Sequence, residues 1–178
     1  MNVLIITASL RPFSNSDTLA SSFARGAKEK GHKVETISLK GKRIAFCMGC
    51  QYCATHGQCT IGDDARAIAE KVRDADVLCF AAPVYYYGIP GQLKTLLDRL
   101  NPLYGAECRF KEVYYLGVAA DDAPATPEKS LLAIQGWIDC FPGVELKDSL
   151  FVGGVTEARE IEKNPMLQKA YDLGASIE

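Results

Sequence analysis

The chain has 178 residues, of which 48% are hydrophobic and 24% charged, with a formal net charge of -2. These values describe an ordinary water-soluble chain able to build one full-sized core, and they leave no basic excess to attract nucleic acid and no acidic tail. No apolar run approaches the ~18 residues that a membrane-spanning helix needs. The apolar start, Met1 to Leu10, lacks the basic flank and small-residue cleavage site of a signal peptide. A cytoplasmic protein with neither nucleic acid nor membrane as partner is expected.

Val3 to Ile6 is a short β-branched-rich run and reads as the first strand. Ser16 or Asp17 can cap the helix after it, from about Thr18 to Lys30, and Gly31 stops that helix. Lys33 to Leu39 alternates polar and apolar residues, as a strand does. An irregular stretch from Lys40 to Gly62 follows, long enough to suggest a functional loop. Asp63 or Asp64 then opens a helix to about Asp74, and Val77 to Ala81 is the unbroken apolar run of a strand buried on both faces.

Gln92 to Leu100 reads as a helix after Pro90-Gly91, and Val113 to Ala119 as a strand. A helix starts at Thr126-Pro127 and runs to about Cys140, Leu146 to Val152 is the fifth strand, and Pro165 starts a last helix. Strands alternating with helices imply an α/β fold with a parallel sheet covered on both faces. Five strands suit the flavodoxin-like order 2-1-3-4-5, with the ligand crevice at the strands' C-terminal ends. No repeat or linker interrupts the pattern. The expectation is one domain over residues 1–178, with a cysteine-rich insertion at about 40–62.

The loop after the first strand reads Ala8-Ser9-Leu10-Arg11-Pro12-Phe13-Ser14-Asn15-Ser16-Asp17-Thr18. It leads into a helix N-terminus, whose unpaired N–H groups and positive dipole suit a phosphate. The hydroxyls add donors and Arg11 adds a charge-assisted one. Neither a Walker-type Gly-Lys-Ser/Thr nor a G-x-G-x-x-G turn is present, so a terminal monophosphate such as that of FMN is the better match. An ordinary polar loop with a good cap is the bland alternative.

The loop after the third strand, Ala82-Pro83-Val84-Tyr85-Tyr86-Tyr87-Gly88-Ile89-Pro90-Gly91, faces the same crevice. Its tyrosines can wall a flat aromatic ligand, or cover core at the sheet edge.

Ser9-x-Arg11-x-x-Ser14-Asn15-Ser16, together with Pro83-Val84-Tyr85, Leu93-Lys94 and Asp98-Arg99, resembles the NADPH-dependent FMN reductase group of flavodoxin-like proteins. The resemblance covers most of Met1 to Leu100. Ala8 and Leu10 stand where the family usually has Gly and Pro. By resemblance Ser9, Arg11, Ser14, Asn15 and Ser16 hold the FMN phosphate, and Pro83, Val84, Tyr85 and Tyr86 line the isoalloxazine. The Ala120-Asp121-Asp122 loop would border the ring, although its acidic residues differ from the Gly-rich version of relatives.

Four of the seven cysteines fall close together: Cys47, Cys50 and Cys53 at successive C-x-x-C spacing, then Cys59 after five residues. Such a compact triple with a fourth nearby resembles ferredoxin-type ligation of a [4Fe-4S] cluster, and suits zinc less well because structural zinc usually takes two separated pairs. Free or redox-active thiols are the third option. His56 reads as a solvated loop residue, and Cys79, Cys108 and Cys140 as plain residues. The loop follows the second strand and should lie at the flavin end of the sheet.

The spacing resembles the iron-sulfur flavoprotein branch of the same family. That resemblance implies FMN and a [4Fe-4S] cluster exchanging electrons, NAD(P)H or ferredoxin as donor, and assembly as a homodimer or homotetramer. No catalytic side chain is implied, because the flavin carries the chemistry. The rival readings are a cluster-free NAD(P)H-dependent FMN or quinone reductase, a flavodoxin-like electron carrier, and a zinc-stabilised binding module. Trp137, with Leu131, Ile134 and Ile138 at helical spacing, reads as core before interface.

Overall fold

The computed structural model describes the whole chain, Met1–Glu178. Five strands, β1 (Asn2–Thr7), β2 (Lys33–Ser38), β3 (Val77–Pro83), β4 (Glu112–Val118) and β5 (Glu145–Val152), form a parallel sheet in the order β2-β1-β3-β4-β5. The helices are α1 (Asn15–Glu29), α2 (Tyr52–His56), α3 (Asp64–Asp74), α4 (Gly91–Arg99), α5 (Glu128–Ile138) and α6 (Met166–Ala175). This is the flavodoxin-like order expected from the alternation of elements. No helix is long and apolar enough to cross a membrane.

Burial follows position in the sheet. The central strands carry near-continuous apolar runs, with Val3 to Ile6 and Val77 to Ala82 all buried, because helices cover both of their faces. On the edge strand β2 only Ile37 is buried. Successive side chains alternate between two cores. Leu4, Ile6, Leu78, Phe80 and Tyr115 meet α3, α4 and α5 on one face. Val3, Ile5, Val77, Cys79, Tyr114 and Leu116 meet α1 and α6 on the other. Trp137 belongs to the first core: it meets Phe80 edge-on at 5.6 Å between ring centroids and lies nearly parallel to Phe110 at 5.9 Å.

Two helix starts differ from expectation. Ser14, in place of Ser16 or Asp17, caps α1: its extended backbone lets Oγ accept from Asp17 N at 3.1 Å, so the helix begins at Asn15. Inside the long loop the short helix α2 forms between two left-handed residues, Gln51 and Gly57, a local conformation with no apolar period to announce it. Gly31, at φ +87, lies just past α1 as expected.

Candidate functional site

The strand order reverses between β1 and β3, and the loops that leave the C-terminal ends of β1, β3, β4 and β5 enclose a cavity of about 260 Å³ there. Ser9, Arg11, Ser14, Asn15 and Ser16 form one side of it, Pro83, Val84 and Tyr85 another, and Val118, Ala119, Ala120, Val155 and Thr156 the rest. Eight of the nine residues singled out in the first and third loops therefore share one cavity. The ninth, Tyr86, stands fully exposed at the tip of its loop.

The hydroxyl side is built at the first turn of α1. Ser9, Ser14 and Ser16 are buried there. Ser9 Oγ accepts from Arg11 N at 3.3 Å and Ser14 Oγ accepts from Asp17 N at 3.1 Å. Ser9 Oγ thus keeps its proton free to donate, while the Ser14 and Ser16 hydroxyls, 3.4 Å apart, use one proton between them and keep the other. Together with the free N–H groups of a 15-residue helix, they make a donor-rich concavity with no acidic side chain among its lining residues. That chemistry fits a monophosphate, and the apolar walls of Pro83, Val84, Val118 and Val155 fit a ring system beside it.

The tyrosine loop is a tight turn. Tyr85 and Gly88 exchange both backbone hydrogen bonds at 3.0 Å, and the two residues between them, Tyr86 (φ 49) and Tyr87 (φ 63), are left-handed. Such a turn favours Asn and Gly, so two tyrosines there store strain that points to a use for their side chains. Tyr87 lies under Lys129 Nζ at 5.5 Å. In the acidic loop after β4 only Ala120 reaches the cavity. Asp121 turns to Thr126, accepting from its Oγ1 at 2.7 Å, and this bond helps hold its carboxyl below the usual range.

The wall at Val155 and Thr156 had no sequence signal. It arises because residues 156–161 fold over the first loop. Arg11 donates to the Thr156 carbonyl and reaches Glu157 Oε2 at 3.3 Å. Asn15 donates from Nδ2 to the Glu157 carbonyl at 2.9 Å and accepts at Oδ1 from Ile161 N at 3.2 Å. Its side chain is thereby tied to this wall by one Nδ2–H and by Oδ1, which leaves the second Nδ2–H and the backbone N–H for a ligand.

Cys47, Cys50, Cys53 and Cys59 line a second, separate cavity of about 20 Å³, with Asp98, Arg99, Asn101 and Pro102 on its inner side. All seven cysteines are free thiols. Cys53 and Cys59 are half-buried, and Asn101 Nδ2 donates to Cys53 Sγ at 2.9 Å. Cys47 and Cys50 form the exposed rim. No three His, Cys, Asp or Glu side chains are gathered closely enough to hold a single metal ion. Four thiols on one cavity suit in kind and number a larger sulfur-ligated group, which would seat by displacing the exposed rim. His56 stacks on Tyr52 at 3.8 Å between ring centroids and does not line this cavity. Cys79 is wholly buried in β3, and burial pushes its thiol up, away from the thiolate a ligand needs.

The two cavities share no lining residue. The cysteine loop leaves β2 at the flavin-suited end, but its cysteines settle beside the C-terminal end of α4. Gln92, at the other end of that helix, donates to the Ala8 carbonyl next to the first cavity. From Gln92 to Arg99 the helix rises about 10 Å. The reason for the displacement is Arg99, whose guanidinium binds the Ala45 and Ile61 carbonyls and the Asp63 carboxylate and so draws both ends of the loop down to it.

A sequence model of the NADPH-dependent FMN reductase family matches residues 1–142. An iron-sulfur flavoprotein of Methanocaldococcus jannaschii is 39% identical over 103 residues, covering 58% of this chain and 53% of that protein. An iron-sulfur flavoprotein of Methanosarcina thermophila is 29% identical over 157 residues, covering 88% of this chain and 82% of that one. The chain thus spans about half the length of the first of these relatives and most of the second. Among solved structures, an NAD(P)H:quinone oxidoreductase from Methanothermobacter marburgensis superposes with a TM-score of 0.76 at 22% identity, covering 100% of this chain and 96% of that one. That likeness shows the same fold. With its first 142 residues matched by the family model, the chain belongs to the NADPH-dependent FMN reductase family.

Proposed function

We propose that the chain is an FMN-dependent oxidoreductase of the iron-sulfur flavoprotein type, moving electrons between NAD(P)H or ferredoxin, FMN and a [4Fe-4S] cluster. The observation that carries the flavin half is the ring of buried hydroxyls at the start of α1, set against an apolar wall at the point where strand order reverses. In this reading Ser9 and the paired Ser14 and Ser16 donate from hydroxyls, Asn15 from its backbone N–H, and Arg11 from its guanidinium, to the FMN phosphate. Pro83, Val84 and Tyr85 face the ring, and Tyr86 borders its open side. Bound FMN supplies two-electron exchange with a nicotinamide and one-electron release. The chain's own residues bind, orient and shield, and none is needed as acid or base.

The four cysteines on one cavity support the cluster half, as do the relatives named iron-sulfur flavoproteins. A cluster there would supply one-electron storage. The whole chain, residues 1–178, then works as one flavin-binding unit with a cysteine insertion, assembled as a homodimer or homotetramer.

The test is an absorption spectrum of protein purified without oxygen, with iron and acid-labile sulfide assayed on the same sample. Flavin bands with about four irons per chain are expected. Flavin without iron would leave a cluster-free FMN reductase, and absence of flavin would overturn the reading.

A further inference from the structure

A buried charge is tolerated where its hydrogen-bonding groups are satisfied. The side chain of Arg99 is 0% exposed. It lies there because α4 buries Leu93, Leu96, Leu97 and Leu100, which puts position 99 on the packed side of the helix end. Four of its five N–H bonds are used. Nη1 donates to Asp63 Oδ2 at 2.8 Å and to the Ala45 carbonyl at 2.7 Å. Nη2 donates to Asp63 Oδ1 at 2.8 Å and to the Ile61 carbonyl at 3.3 Å. The fifth, on Nε, has neither a partner nor contact with water. The guanidinium lines the four-cysteine cavity together with the Cys59 thiol.

We propose that Arg99 is the positioning residue of the cysteine centre: four donors fix both ends of the cysteine loop on α4, and the fifth is held for the Cys59 sulfur of the loaded centre. The inference rests on the cluster reading above. A ligating sulfur carries negative charge, which grows when the cluster is reduced. An N–H donor and a fixed positive charge beside it therefore favour the reduced state and raise the potential. Lysine keeps the charge but has no planar fork, so it cannot hold both loop ends and aim a separate donor. Asn101, donating to Cys53, supports the neighbouring sulfur from the same end of α4. The inner wall is thus prepared by two donors, while the outer cysteines stay exposed.

The test compares wild type with Arg99→Lys, both purified without oxygen, assayed for iron and titrated redox-wise while the electron paramagnetic resonance of the reduced cluster is followed. At the potential where the wild-type cluster is half reduced, the variant should show a reduced-to-oxidised ratio about tenfold smaller, the effect of losing one charge-assisted hydrogen bond. Reduced wild type labelled with nitrogen-15 arginine should show a nitrogen coupling to the cluster that the variant lacks. A merely structural Arg99 would move neither readout. Should the variant fail to fold or to take up iron, the wild-type nitrogen coupling decides alone. Iron-loaded wild type without that coupling, or equal potentials in the two proteins, would overturn this proposal only. Wild type without iron would overturn it together with the cluster reading.

Discussion

Arg11 and Glu157 meet at 3.3 Å across 146 residues of sequence. Arg11 is the lone cation of the first loop, so the group best suited to a phosphate is already engaged by a carboxylate. Both side chains are exposed, at 45% and 81%, and such a pair contributes about 0–1 kcal/mol. A phosphate, with more charge and more acceptors, outcompetes it. Arg11→Ala should weaken FMN binding by about tenfold or more, the worth of a charge-assisted hydrogen bond, and leave riboflavin binding unchanged. Glu157→Gln should tighten FMN binding up to about fivefold. Flavin-fluorescence titration of apoprotein measures both, and equal losses for FMN and riboflavin in Arg11→Ala would place the phosphate elsewhere.

The Asp63–Arg99 pair acts on stability. Burial tends to raise the Asp63 carboxyl, but hydrogen bonds from Arg99, Ala45 N and Ala65 N outweigh that and hold it below the usual carboxylate range. Asp63 also caps α3 through Ala65 N at 3.1 Å. Removing it as Asp63→Ala leaves a buried guanidinium unpaired, which costs about 3–5 kcal/mol. Urea denaturation should show that loss. A change under about 1 kcal/mol would mean that water reaches Arg99.

These pairings also mark where sequence reading stops. Runs such as Val77 to Ala81 and the polar-apolar alternation of Lys33 to Leu39 are local patterns, and the sheet order followed from them. The serine loop and the cysteine spacing are likewise local. By contrast, residues 156–161 fold over the first loop through Asn15 and Arg11, and Arg99 draws down the cysteine loop through a partner 36 residues away. Contacts between distant segments leave no period in either one. One clue was present: Arg99 follows Leu96 by three positions on a helix whose leucines are buried, and a charge on an apolar face asks for a buried partner.

Asp76 should govern part of the acid response. Its Oδ2 accepts from Asn2 N at 2.7 Å and its Oδ1 from Arg109 Nη2 at 2.6 Å. The backbone bond from Asn2 does most to hold its carboxyl below the ordinary value of 3.8; burial opposes it and Arg109 adds to it. A depressed folded-state value means stability that is fully present above the ordinary value and lost as pH falls through the folded one. Asp76→Asn should therefore lower Tm at pH 7, and the gap to wild type should narrow as pH falls below the ordinary value of 3.8 and through the lower folded-state one. A gap that persists at low pH would show that packing, and not charge, is lost.

The cysteines divide by surroundings. Cys47→Ser, Cys50→Ser, Cys53→Ser and Cys59→Ser each remove a thiolate from one cavity, and each should cut iron per chain to less than about half while flavin content stays. Cys140→Ser, exposed in the turn just past α5, should change neither. Iron retained in all four single variants would remove these residues from the ligand set.

Two glycines sit where helix propensity argues against them. Gly26 lies within α1 and Gly174 within α6, and glycine in a helix interior costs about 0.5–1 kcal/mol relative to alanine. On that ground alone, alanine should stabilise at both. Here the helices touch backbone to backbone. A methyl at Gly26 would run into the Tyr171 carbonyl and come within 2.8 Å of Ala175 N, and one at Gly174 would strike the Phe23 carbonyl. Backbone cannot yield as a side-chain tip can, so steric strain of about 1–3 kcal/mol reverses the sign. Gly136 in α5 has nothing within 4 Å of the same methyl position. Net of that propensity gain, Gly26→Ala and Gly174→Ala should lower Tm by up to about 10 °C and Gly136→Ala should raise it slightly. If all three rose together, α6 would not be docked on α1 as described, and the wall that residues 156–161 build over the first loop would lose its support.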